Sequence, residues 1–299
     1  RILHKKVKSL KTMEWISLNN GGKMNGKIIC VNAAIHKVLL ENNTIIDTKV
    51  RGKLRNDKVH PVVGDNVVVN TQTKTIEKVE SRRNYLERPL IANIDKLLIV
   101  MSTSIPVFSS YLIDKFLVIA FANKIEPIIV ITKTDMISLK EKNDIKKYIS
   151  YYRKLGIKVY INTSVSKIKN EFKDSVVALC GQTGSGKSSL LNRIDASLSL
   201  KTGEVSLSLG RGKHTTRLVE LLEVNGGLIA DTPGFSSLEI SIPRKDIKKY
   251  YPDFNKPCKY RSCSHVKEDG CEIINLVNKG KIPEWRYENY IKFMEEVKS

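Results

Sequence analysis

The sequence predicts a multidomain chain in three parts: an N-terminal OB-type β-barrel, a central α/β domain built around a P-loop, and a small C-terminal zinc-binding domain with helices. Three observations carry this reading. Five short strand-like segments crowd residues 24–80, with turn residues between them and no helical period. From Asp95 onward, apolar strand-type runs alternate with helical patterns, and one of the runs leads into a glycine-rich loop. Three cysteines and a histidine gather between residues 258 and 271.

Composition sets the outer limits. The chain has 299 residues, 41% of them hydrophobic, which is enough for two or three packed cores. No apolar run approaches the roughly 20 residues of a membrane span, so no membrane partner and a cytoplasmic location are expected. The formal net charge is +20, and it remains +15 without the first 23 residues. A polyanionic partner accounts for such an excess, because nucleic acid releases counterions when lysines and arginines neutralise its phosphates. Residues 1–23 carry six basic side chains against Glu14 alone, and are expected to be a basic tail, a vector remnant or an upstream extension that lies outside the fold, with Met24 the expected native start. Five cysteines are an odd number, and their late clustering beside a histidine favours a metal in a reducing compartment over disulfides.

The barrel is expected over residues 24–80, with strands at Lys27–Val31, His36–Leu40, Thr44–Leu54, Val62–Val69 and Lys74–Glu80. An OB-type closure removes sheet edges at this size and commonly serves oligonucleotides. Lys49, Arg51, Lys53 and Arg55 alternate along the third segment, and Lys58 follows, so the charges fall on one solvent face suited to RNA phosphates. The mixed stretch 81–94, which holds Pro89, breaks the strand pattern and reads as the linker.

The central domain is expected over residues 95–240. Strands at Leu97–Met101, Pro127–Ile131 and Lys158–Asn162 alternate with helices near Tyr111–Asn123 and Leu139–Leu155, which implies β-α-β units and a parallel sheet. Ser138 is placed to cap the second helix and Gly156 to end it. After the run Val176 to Cys180 comes Gly181-Gln182-Thr183-Gly184-Ser185-Gly186-Lys187-Ser188, a full match to G-x-x-x-x-G-K-[ST], followed by Ser189 and an opening helix. Backbone N–H groups of such a loop turn inward around phosphates, Lys187 reaches the β- and γ-phosphates, and the Ser188 hydroxyl meets Mg²⁺.

A P-loop does not choose between ATP and GTP. Thr132-Lys133-Thr134-Asp135 follows an apolar strand at the carboxyl edge where open α/β sheets bind ligands. It is similar to the N-K-x-D guanine signature, with Thr132 in place of asparagine. The Asp135 carboxylate can accept two hydrogen bonds from guanine N1–H and the exocyclic amine, a pair that adenine does not offer, while the Lys133 stem lies along the base. Thr132 keeps a hydroxyl but lacks the amide. Ser164 belongs to a further loop that resembles the guanine O6 contact. Downstream, Asp231-Thr232-Pro233-Gly234 is similar to D-x-x-G, with Asp231 near Mg²⁺ and the Gly234 amide at the γ-phosphate. Between the P-loop and this element, either Thr215 or Thr216 can complete the Mg²⁺ shell.

These elements are complete but permuted in order. The chain therefore resembles the circularly permuted, ribosome-small-subunit-dependent GTPase family, RsgA or YjeQ, over residues 24–299. The resemblance implies a GTPase acting late in maturation of the small ribosomal subunit, with 16S rRNA as partner, GTP and GDP as ligands, and hydrolysis that quickens on the particle. Phe235 stands where many GTPases carry a water-orienting glutamine. His214, in a G-x-H-T-T stretch that resembles the family motif, is the candidate catalytic residue instead.

Residues 241–299 are expected to form the zinc domain. Cys258, Cys263, His265 and Cys271 supply three thiolates and one imidazole, a closed four-ligand set for one structural Zn²⁺. Lys256, Lys259, Arg261, Lys267, Lys279 and Lys281 surround it, and Tyr260 offers a stacking ring. The last helix, from Pro283 to Val297, carries Trp285, Ile291, Met294 and Val297 on one stripe, read as core against the zinc domain. A monomer is expected. Two other readings compete: a GTP-switched, zinc-containing RNA-binding protein acting in translation without an assembly role, and an ATP-dependent nucleic-acid enzyme using the same P-loop.

Overall fold

The computed structural model describes residues 22–52, 60–87, 89–200, 219–231 and 242–297. Lys53, Arg55, Lys58, His214, Thr215, Thr216 and Gly234 lie outside the described residues.

Five strands close the barrel: β1 (Lys23–Asn32), β2 (Ile35–Leu40), β3 (Ile45–Val50), β4 (Asn66–Asn70) and β5 (Thr75–Val79). β1 pairs with both β2 and β4, while β3 meets β5 in parallel, which completes the ring in the order β1-β2-β3-β5-β4. Inward positions Ile28, Val38, Leu40, Val67, Val69 and Ile76 alternate with outward polar ones and fill the interior. Two strands differ from expectation. β3 ends at Val50, and β4 starts only at Asn66, because the Asp65 carboxylate accepts the Val62 N–H and turns the chain there. The barrel also begins at Lys23, which pairs with Asn70.

The stretch expected as a plain linker contains a hairpin, β6 (Tyr85–Glu87) with β7 (Leu90–Ala92). Arg82 holds the buried Asp65 through two hydrogen bonds, and Asn84 exchanges two with the backbone of Ile94. The connection is thereby built into the base of the barrel.

The central domain has β8 (Lys96–Ser102), β9 (Glu126–Thr132), β10 (Lys158–Ile161), β11 (Val176–Cys180), β12 (Glu220–Val224) and β13 (Gly227–Asp231). Their order across the sheet is β10-β9-β8-β11-β13-β12, parallel except for β12. Because both faces are covered, the central strands are apolar between their end residues, as in Leu97–Met101 and Pro127–Ile131, and β11 is apolar throughout. Leu97, Ile99 and Met101 enter one core, while Leu98 and Val100 enter the other. Helices α1 (Ser110–Ala122) and α2 (Leu139–Lys154) serve the first core, and α3 (Val165–Asn170) and α4 (Lys187–Ile194) the second. Ser138 and Glu141 form a reciprocal capping box at the start of α2, and Gly156 follows its end at φ +80°. A bulge in β1 lets Cys30 pair with Glu220 of β12, so barrel and domain share one eleven-stranded sheet.

The C-terminal part contains α5 (Glu272–Asn278) and α6 (Glu284–Glu296) around Ile247, Tyr251, Phe254, Ile273, Tyr290, Phe293 and Met294. Val118 of α1 belongs to the same core, so this part is packed onto the central domain.

Candidate nucleotide site and metal centre

The P-loop leaves β11 at the centre of the sheet. Gly181 lies at φ +130°, and a Cβ there would stand 2.1 Å from the Val100 carbonyl oxygen, so only glycine lets the loop cross β8 so closely. Gly186 at φ +92° turns the chain into α4. The Lys187 ammonium donates to the carbonyl oxygens of Gly181 and Gln182, both at 2.8 Å, and so is folded over the loop. Burial lowers its pKa, opposed by the neighbouring Cys180. Gln182 Oε1 and the Ser185 hydroxyl are buried without a protein partner, which marks the loop as polar groups held in reserve. Ser188 and Ser189 follow in the first turn of α4.

The structure brings the base tetrapeptide to this loop. Thr132 is buried at the end of β9, and its hydroxyl donates to the Ser185 carbonyl oxygen at 2.6 Å, with Met101 O at 3.3 Å. The hydroxyl thus supplies a brace without the amide. Lys133 adopts φ +57° and its ammonium donates to the Ile105 carbonyl oxygen, which fixes its side-chain stem. Asp135 is exposed. Thr103 supports the turn from below: its N–H donates to Thr132 O at 3.1 Å and its hydroxyl to Lys133 O at 2.7 Å. Thr134 donates to Asn162 Oδ1 at 3.3 Å, joining the TKTD loop to the loop that holds Ser164. The Ser164 N–H itself donates to Ile161 O at 2.9 Å. Sequence reasoning missed Thr103 and the Ile105 carbonyl, since a lone threonine and a main-chain oxygen leave no motif. Asp231 ends β13, the strand beside β11, so the start of DTPG emerges on the same sheet edge as the P-loop.

At the metal centre, one donor atom from each of Cys258, Cys263, His265 and Cys271 lies within 4.8 Å of the others. His265 Nδ1 stands 3.5, 3.5 and 3.4 Å from the three sulfurs, and Cys258 Sγ is 3.9 Å from Cys271 Sγ. A tetrahedral ion with Zn–S of about 2.3 Å and Zn–N of about 2.0–2.1 Å requires edges of about 3.5 and about 3.8 Å, so the donor set fits. His265 sits at φ +59°, in the left-handed region. Burial lowers its pKa and keeps it a neutral ligand. Beneath the ligands, Glu268 works against its own burial by accepting from the Ser264 hydroxyl and from backbone N–H groups, and its carboxyl falls to about 2. The Glu272 N–H donates to Cys258 Sγ at 3.3 Å, a further orienting contact of the kind metal sites use.

The C-terminal part is joined to α1 and α2 of the central domain by a buried ionic cluster. Arg286 of α6 is 1% exposed and bonds Asp253 twice; it also bonds Asp114 of α1, which Tyr152 of α2 and Asn289 of α6 bond as well. Burial raises the Asp114 carboxyl, with Arg286, Tyr152 and Asn289 pulling the other way. Trp285 does not face the metal domain as its stripe implied. It packs among Tyr148, Tyr151 and Tyr152 of α2, with ring centroids 4.6, 5.6 and 5.7 Å away. Met294 does enter the C-terminal core, and Ile291 and Val297 pack against it.

Fold and site together define a class: a P-loop nucleotide-binding protein whose base loop precedes its phosphate loop in the chain, between a barrel and a Cys₃His centre. The family described as the RsgA N-terminal domain matches residues 25–76, and the RsgA GTPase family matches residues 77–241. The chain belongs to the RsgA GTPase family. It is 44% identical over 261 residues to the small ribosomal subunit biogenesis GTPase RsgA of Halalkalibacterium halodurans, covering 83% of this chain and 89% of that one. Its Bacillus subtilis counterpart is 42% identical, over 91% of this chain and 97% of the relative. Among solved structures, the circularly permuted GTPase YloQ is similar with a TM-score of 0.78, 36% identity and coverage of 92% and 94%. YjeQ from Thermotoga maritima is similar with a TM-score of 0.80, 32% identity and coverage of 92% and 98%.

Proposed function

We propose that the chain hydrolyses GTP to GDP and phosphate in the biogenesis of the small ribosomal subunit, the role its relatives are named for, with 16S rRNA as its contact on the particle. The single observation that supports this most is the bond from Thr132 to Ser185, because it couples a guanine-type base loop to a phosphate loop across the permuted sheet. In this reading Asp135 selects guanine, Lys133 covers one face of the base, and Ser164 lies at the O6 edge. Residues Gly181–Ser189 cradle the phosphates, with the Gly234 amide at the γ-phosphate. Mg²⁺ arrives with GTP at Ser188, Asp231 and either Thr215 or Thr216, and stabilises charge on the phosphates. His214 orients the attacking water.

Zn²⁺ is the ion proposed for Cys258, Cys263, His265 and Cys271. Four protein ligands leave no position for water, so its part is structural. The protein acts as a cytoplasmic monomer. Among the described residues no helix is long and apolar enough to cross a membrane. The test is equilibrium competition between guanine and adenine nucleotides. Preference for GTP and GDP, lost in Asp135→Ala, is expected; equal affinity for ATP contradicts the reading.

A further inference from the structure

The outward side of α2 is rich in cations. At about 100° per residue, Arg153, Lys146, Lys154, Lys147 and Lys140 fall within an arc of about 140° of the helix circumference, shared with Asn143, Ser150 and, in the first turn, Leu139. All eight are exposed. The opposite side carries the buried Ile145 and Tyr152 and the tyrosines that hold Trp285. The two acids of the helix lie off the arc, and Glu141 is engaged in capping Ser138.

Elsewhere on the surface lysines meet carboxylates, as in Lys23–Glu77, Lys78–Glu80, Lys158–Glu126 and Lys249–Asp246. On the arc, Lys146 bonds Asn143, Lys147 lies over the Tyr148 ring and Arg153 holds the Val159 carbonyl oxygen. None of the five cations pairs with an acid among the described residues. Their mutual repulsion is left for a partner to relieve.

We propose that this arc is a docking surface for the sugar-phosphate backbone of RNA, a proposal that rests on the small-subunit reading above. From Lys140 to Lys154 it runs about 21 Å at 1.5 Å per residue, long enough to follow several phosphates. The interleaved Asn143 and Ser150 can bond phosphate or 2′-hydroxyl oxygens. A lipid surface fits poorly, since a membrane-bound helix must insert its apolar side and here that side is occupied by Trp285 and the core. The helix starts four residues beyond Asp135, so RNA on the arc is registered directly against the base loop.

The test is the triple variant Lys140→Gln, Lys147→Gln, Lys154→Gln, which keeps helix propensity. Its affinity is measured for purified small ribosomal subunits and for an RNA duplex of about 20 base pairs, over a series of salt concentrations. Loss of three phosphate contacts should lower the slope of log affinity against log salt by about two to three, with GDP binding unchanged. A slope and affinity equal to wild type on both probes overturn the proposal. Weakened subunit binding at an unchanged slope also overturns it, because it indicates a protein contact. Wild type that binds the duplex but not the subunits contradicts the small-subunit reading alone, and the slope on the duplex still decides the arc.

Discussion

The Thr132 hydroxyl donates to the Ser185 carbonyl oxygen at 2.6 Å, so the residue that opens the base loop holds the phosphate loop in place. A hydroxyl is shorter than an amide side chain, and the buried end of β9 brings Thr132 close enough to reach. The TKTD loop and the P-loop are therefore mechanically joined.

Replacing Thr132 by valine keeps the shape and removes the donor, leaving the Ser185 carbonyl without this partner inside the protein. Such a loss costs about 1–3 kcal/mol. GDP and GTP affinity should fall by about 10-fold or more, while Thr132→Ser stays near wild type. Isothermal titration decides it; equal affinity for wild type and valine variant contradicts the bracing role.

Arg286 is the second test. Its guanidinium neutralises the buried Asp114 and the largely covered Asp253 carboxylate, and Arg286→Met leaves both carboxylates uncompensated. Breaking a buried pair on one side costs about 3–5 kcal/mol. Urea denaturation should show a loss of that size, and Asp114→Asn added to Arg286→Met should recover part of it. A loss below about 1 kcal/mol means that the C-terminal part is not held by this cluster.

Lys27 predicts a pH dependence. It is 5% exposed in the wall of the barrel, its ammonium 2.6 Å from Asn66 Oδ1, and burial lowers its pKa from 10.5 to about 8. Below pH 8 both folded and unfolded chains carry the proton, and the folded state bears the full penalty of a buried charge. Between pH 8 and 10.5 the unfolded chain binds more protons, so stability rises with pH, by about 3 kcal/mol in all. Lys27→Met should remove this rise from a series of denaturation curves at increasing pH. A rise of the same size in the variant contradicts the assignment.

Much of the site was legible because its chemistry is carried by contiguous residues. Gly181–Ser188, Thr132–Asp135 and the Cys258–Cys271 cluster each announce themselves within a few positions. So do the strands β8, β9 and β11, whose two-sided burial demands an unbroken apolar run. What stayed hidden depends on partners distant in the chain. Arg286 looks like one more surface cation in an amphipathic helix until Asp114, 172 residues earlier, is folded against it. Trp285 fits a helical stripe, yet its partners are three tyrosines of α2. Residues 85–92 read as a charged break because a three-residue strand is too short to show a period, and the hairpin is set by Arg82 and Asn84 on Asp65 and Ile94.

The most direct test of the central claim is GTP turnover by the purified chain, with and without small ribosomal subunits, for wild type and His214→Ala. The account predicts slow turnover alone, a large stimulation by the subunits, and a variant that binds GTP as wild type does but is not stimulated. Wild-type turnover that is unchanged by small subunits would contradict it.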